Sequence, residues 1–135
     1  MVRVSFDLFV IESWDGDDIY YGPDIWDLRT GDGLVLLHTT FSNTAISGHA
    51  QNYPDAYPGI EHPAQTGAAA VNSLGYGVYG DALYELTFTF PHSADTLVLD
   101  FSGSGLQDLS DESWGLDNVR VGIAPPTTPL ESAGR

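Results

Sequence analysis

Residues 2–11, VRVSFDLFVI, alternate with a period of two: Val2, Val4, Phe6, Leu8 and Val10 fall on one face and Arg3, Ser5 and Asp7 on the other. Phe9 and Ile11 then make both faces apolar, the pattern of a β-strand running toward a buried end. DIWDLRT and LVLLHTTFS flank a Gly-Asp-Gly at 31–33, whose glycines supply the positive-φ positions of a tight reversal, and together they predict a hairpin. In LYELTFTF, Tyr84, Leu86, Phe88 and Phe90 face inward against Glu85, Thr87 and Thr89; PHSAD turns the chain, TLVLDFSG returns it and LDNVRVGI closes it. No stretch carries apolar residues at helical spacing for more than about two turns. Short strands separated by turns, without a strand-helix-strand rhythm, predict an all-β fold, an antiparallel β-sandwich of jelly-roll type. The domain is expected over 1–124, followed by a Pro/Thr/Ser-rich linker or tail over 125–135.

The pattern gives out between Ser42 and Gly80, where only Gly67 to Leu74 suggests a further strand or a short helix. A structureless loop of that length is rare inside a compact domain, so a folded excursion across one face or edge is expected there.

Charge changes the picture next. Nineteen Asp and Glu stand against four arginines (Arg3, Arg29, Arg120, Arg135) and no lysine, a net charge of −15 on 135 residues. No basic stripe is available to neutralise phosphates, which argues against nucleic acid and anionic membrane as partners. Without lysine, Schiff-base chemistry and a phosphate-loop lysine are excluded. So dense a negative surface repels itself unless salt or bound cations relieve it, which makes cations the first partners to consider. Cysteine is absent, removing disulfide and thiol chemistry. No apolar run is long enough for a membrane span, and no signal-peptide pattern precedes the first strand; an exported form is expected to come from a longer or processed chain.

The acidic residues are clustered. ESWDGDD at 12–18 is echoed by DESWGLDN at 111–118, so that Glu-Ser-Trp stands near both ends of the chain among carboxylates. Glu12, Asp15, Asp17 and Asp24 in the first segment, and Asp111, Glu112 and Asp117 in the second, are candidate metal ligands, with Gly16 at the bend. All the donors are oxygens. Calcium takes six to eight oxygens at roughly 2.3–2.6 Å in irregular cages, whereas zinc favours His and Cys, so Ca2+ is the expected ion. If the first and last strands pair antiparallel, both segments meet at one end of the sandwich as two walls of one cage, with Trp14 and Trp114 shielding it. The alternative is that both segments are acidic turns whose side chains cap backbone groups.

For recognition, Tyr20, Tyr21, Tyr53, Tyr57, Tyr76 and Tyr79 stand beside Asn, Gln, His and Asp, the residue types that combine an aromatic platform for sugar C–H faces with hydrogen bonds to hydroxyls. Tyrosine beside Gly and Pro also packs over loop backbone, so that use stays open. Paired carboxylates can hydrolyse a glycosidic bond, and Glu12 and Glu112 are candidates by type alone. Metal ligation explains clustered acids more simply, and no Gly-x-Ser-x-Gly nucleophile elbow occurs, so no catalytic residue is assigned.

FDLFVIESWDGDD, GPDIW, LLHTTFSN, QNYPDAYPG and DESWGLDNVRV together resemble a group of secreted environmental bacterial proteins, including ones whose longer forms carry a PEP-CTERM sorting tail. WGLDNVRV also resembles the closing strand of calcium-dependent, carbohydrate-binding jelly rolls. That resemblance implies an extracellular or cell-surface location and a structural-ion role for Asp117. The combined expectation is a non-catalytic, extracellular calcium-binding module recognising glycan or a cell-surface polymer. Its alternatives are a structural or adhesive subunit of a surface layer or filament, built by self-association, and a small glycoside hydrolase.

Overall fold

The computed structural model describes residues 1–125. Their strands are β1 (Val2–Glu12), β2 (Ile25–Thr30), β3 (Val35–Thr40), β4 (Ala70–Val71), β5 (Asp81–Phe90), β6 (Leu99–Ser104) and β7 (Glu112–Ile123), with a single 3-10 turn at Ala45–Ser47. All pairings are antiparallel and form two sheets, ordered β4-β5-β1-β7 and β3-β2-β6. The expected all-β sandwich is therefore present. First and last strands pair, as do β2 and β6, but β1 and β2 lie inside their sheets rather than at the edges; this order does not confirm the jelly-roll winding. From residue 126 on, the expected tail lies outside the described residues.

The alternating face of β1 forms the core. Val2, Val4, Phe6, Leu8 and Val10 are buried, and Phe6 packs 5.8 Å from Trp26 of β2 and edge-on at 5.3 Å to Phe101 of β6, tying the two sheets together. Complete burial of each such side chain contributes about 1.5–3 kcal/mol. Phe41, Tyr53 and Tyr84 form a second aromatic group, with Phe41 4.5 Å from Tyr84. The hairpin falls where the Gly-Asp-Gly turn places it, with Gly33 at φ +99.

The excursion over 42–80 is folded with little sheet: two residues of β4 and an isolated bridge between Gln51 and His62. Side-chain amides replace the missing ladder. Fully buried Gln51 accepts from the backbone of Ser42 and Gln65 and donates to Tyr53 O and Thr66 O, at 3.0–3.1 Å. Asn43 donates to Val10 O and Glu12 O, both at 2.9 Å, clamping the excursion onto the end of β1.

β7 begins at Glu112, four residues before the expected Leu116, and runs beside β1 with Glu12 opposite Glu112 and Val10 opposite Trp114. The two Glu-Ser-Trp tripeptides thus lie side by side at one end of the sandwich. Trp14 Nε1 donates to Ser113 O at 2.8 Å, while Trp114 meets Trp26 edge-on at 5.7 Å.

Candidate functional site

Past its paired residues, β1 runs into a loop that folds back on itself. Ser13 N donates to Asp111 O at 2.9 Å and Ser13 Oγ to Asp111 Oδ1 at 2.5 Å, which joins the two acidic segments directly. Gly16 then turns at φ +61, so close to the excursion that a Cβ would lie 1.9 Å from Ala50 O. Asp24 N donates to Gly16 O at 2.9 Å, and Asp15 N donates to Asp24 Oδ2, closing the loop at both ends.

This folding gathers Asp15, Asp24 and Glu112, whose ligand oxygens all lie within 4.8 Å of one another and whose side chains are buried. Asp24 is fully buried, and its Oδ1 is one of two buried side-chain polar atoms without a hydrogen-bond partner among the described residues; the other is Trp26 Nε1. Glu112 Oε1 accepts from Gln107 N. The Gln107 amide, turned with its nitrogen inward, donates to Asp111 Oδ2 at 3.0 Å and Glu112 Oε2 at 3.3 Å.

Electrostatics follow from the burial. Loss of solvent pushes the Asp24 carboxyl up to about 9, outweighing the hydrogen bond from Asp15 N; the charges of Glu112 and Asp15 add to the rise. Glu112 is pushed up to about 7, again first by burial, against the hydrogen bond from Gln107 N and the neighbouring Asp24 carboxyl and with the charges of Asp15 and Asp111. Buried carboxylates that cannot share their charge with a cation hold protons instead. An all-oxygen donor set with an unpartnered buried acceptor fits a hard divalent cation.

The other expected ligands are placed differently. Asp111 borders the group through Ser13 and Gln107. Glu12 lies opposite Glu112 at φ +69, its backbone bound to Gly80 O, and its side chain is not one of the gathered three. Asp17 takes the Thr40 hydroxyl and stands beside Glu61; burial first, then Glu61, raises its pKa against the Thr40 bond. Asp117 corrects the strand reading. Because ESWG is already strand, Asp117 sits five residues beyond Glu112, about 16 Å along β7 at a strand's usual rise, exposed and opposite Asp7.

The tyrosines divide as well. Tyr53 is core, 5.0 Å from Phe41 and 5.1 Å from Tyr84, with its hydroxyl pKa raised by burial. Tyr57 packs 6.0 Å from His38 and donates its backbone N to His38 O. Tyr20 and Tyr76 are exposed. Tyr21 and Tyr79 line one cleft, which also reaches Asp15 and Asp111.

His49 was not foreseen. Its Nδ1 lies 2.8 Å from Asp15 Oδ1, which Thr44 Oγ1 also approaches at 3.2 Å, so one oxygen of Asp15 is held by the excursion. A scattered histidine in a loop carries no periodic signal.

Fold and site together define an all-β sandwich with a buried three-carboxylate group where its first and last strands meet. Comparison with protein-family models, curated proteins and solved structures yields no match for this chain.

Proposed function

We propose that this protein is a non-catalytic, calcium-binding β-sandwich module of the extracellular space or cell surface that recognises glycan or a surface polymer. The observation that carries the reading is fully buried Asp24, whose Oδ1 has no hydrogen-bond partner and which is gathered with Asp15 and Glu112 so that one carboxylate oxygen of each lies within 4.8 Å of the others. Three carboxylates together are costly to bury, and a divalent ion offsets most of that charge. Asp15, Asp24 and Glu112 would hold the ion, with Gln107 and Asp111 adjoining. Bound calcium would supply charge neutralisation and a rigid joint between the β1 end, the excursion and β7. Glu112 is only 1% exposed, which leaves it no face for a scissile bond and disfavours the glycoside hydrolase.

Thermal melts in excess calcium and in chelator test the reading. A ligand that binds only the folded state, at a hundred times its Kd, stabilises it by about 2.7 kcal/mol. Superimposable melts would remove the calcium site.

One observation favours the alternative, a self-assembling surface subunit. β7 is an edge strand, and Val119, Val121 and Ile123 on it are exposed, which suits strand addition by another copy. Concentration-dependent growth in light scattering would support that alternative.

A further inference from the structure

The cleft beside the carboxylate group has a volume of about 320 Å³ and is lined by Asp15, Asp111, His49, Gln107, Tyr21 and Tyr79 among others. It lies at the small end of ligand pockets, a size suited to a single ring rather than an extended chain. Asp15 belongs to both places: it is one of the three gathered carboxylates and it lines the cleft. Whatever fixes Asp15 in the group therefore also fixes one wall of the cleft.

Tyr21 is 55% exposed, yet its backbone is pinned, because its N donates to Asp18 Oδ2 at 2.7 Å and Tyr20 N donates to the same oxygen at 2.9 Å. Its ring stands 6.3 Å from His49, tilted by 32°. An aromatic held in water at the mouth of a polar cleft presents an apolar face and a hydroxyl at little ordering cost. Carboxylates and the Gln107 amide oxygen accept hydrogen bonds from hydroxyls, and tyrosine rings pack against aliphatic C–H faces. That combination suits a sugar ring.

Charge narrows the class further. Three carboxylates around one divalent ion keep a net negative charge, Asp111 adds to it, and the whole chain carries −15. A uronate, sialic acid or sulfated sugar would enter against that field, whereas a neutral ring pays no such penalty.

We infer that the cleft between Tyr21 and Tyr79 binds one uncharged sugar residue of a glycan, with Asp15 and Asp111 accepting its hydroxyls and the ion holding Asp15 in place. This inference rests on the calcium reading above. Asp15 is the joint through which ion and sugar are coupled: His49 and Thr44 already hold its Oδ1, and the ion adds a further hold on the carboxylate, so the metal tightens sugar binding although the sugar need not touch it.

An array of immobilised neutral, uronate-bearing and sialylated saccharides, read in calcium and in chelator, tests it beside melts of the unmodified protein. The expected result is binding to neutral saccharides that is tighter in calcium than in chelator, weakened at least about tenfold by Tyr21→Ala and unchanged by Tyr20→Ala, whose side chain lies outside the cleft lining. If calcium raises the melting temperature but no neutral saccharide binds, or Tyr21→Ala binds as well as the parent, the inference is overturned while the calcium site stands. Equal or better binding of anionic saccharides overturns it too. A melt that ignores calcium brings down the calcium reading itself and this inference with it.

Discussion

Two places in this molecule bring three carboxylates together from separate strands or loops, and they differ in nearly everything but residue type. On the outer face of the larger sheet, Asp7 of β1 lies opposite Glu85 of β5 and opposite Asp117 of β7, a row across three strands. Glu85 and Asp117 are exposed, and Asn118 Nδ2 donates to Asp7 Oδ2 at 2.7 Å. At the end of the sandwich, Asp15, Asp24 and Glu112 are buried, and Asp24 has an oxygen that no protein donor reaches. Water screens the row, where like charges in direct opposition cost a few tenths of a kcal/mol to about 1. In the buried group each charge has lost its solvent, so either protons or a cation must compensate. Clustering alone says little; clustering plus burial plus an unpaired acceptor defines a site.

The largest contrast lies between a glycine in the loop of the buried group and one on the strand that carries Asp117. Gly16→Val introduces a β-branched side chain at φ +61 and a Cβ that meets Ala50 O at 1.9 Å, which moves the loop carrying Asp15. It is expected to cost about 3 kcal/mol or more and to abolish any calcium response. Gly122→Ala, beside Arg3 on the exposed sheet, adds a Cβ with no atom within 4 Å and should stay within about 0.5 kcal/mol. Denaturant melts of both variants check the pair, and equal losses would contradict the division drawn here.

Next comes the ion. Asp24→Asn replaces a carboxyl that must take up a proton to be buried with a neutral group of the same shape, so it should stabilise the calcium-free protein near neutral pH and erase the increment of about 2.7 kcal/mol expected at a hundred times the calcium Kd. Asp7→Asn should leave the calcium increment intact. Scanning calorimetry with calcium and with chelator reads both effects, and an Asp24→Asn protein that still gains from calcium would contradict the assignment.

pH separates the clusters again. An acid with a raised folded-state pKa holds its proton more tightly when folded, so the stability it contributes is present at low pH and is lost as pH climbs through the folded value. For Glu112 the window runs from 4.5 to about 7 and for Asp24 from 3.8 to about 9. Calcium-free protein should therefore lose stability from about pH 4 upward, by at most about 1.4 kcal/mol per pH unit for each group still protonated in the folded state. Calcium bound as proposed would replace those protons, so its increment should grow over the same range. Urea midpoints at several pH values decide; a calcium-free protein that gains stability across this window would be opposite in sign.

The smallest effect belongs to the outer row. Asp7→Asn relieves repulsion from Glu85 and Asp117 at once but gives up a charged acceptor for Asn118. The net change should lie within about 1 kcal/mol and shrink as salt rises. A change that survives molar salt would mean that the row is less exposed to solvent than described.

Much of this was legible in the sequence because the period of two is strong where one face is buried, as in β1 and the inward face of β5, while the β2–β3 hairpin was marked by its Gly-Asp-Gly turn rather than by alternation. The meeting of the two acidic segments followed from pairing the first strand with the last. Asp117 was misplaced because Glu-Ser-Trp-Gly lacks apolar alternation; it is a strand only because β1 offers it a ladder. The excursion over 42–80 was opaque for a related reason. Its order comes from buried Gln51 and Asn52 bonding to backbone elsewhere in the excursion and from Asn43 reaching β1, and an amide in a sequence looks the same whether it faces solvent or replaces a β-ladder. Tyr53 was similarly ambiguous, since its neighbours Asn52 and Pro54 belong to a loop while its ring belongs to the core.

A crystal structure of the protein grown in millimolar calcium tests the central claim most directly. The expected result is an ion with oxygens of Asp15, Asp24 and Glu112 at roughly 2.3–2.6 Å and the formerly unpartnered oxygen of Asp24 among them. Density showing Asp24 and Glu112 sharing a proton, with no ion between them at that calcium concentration, would contradict it.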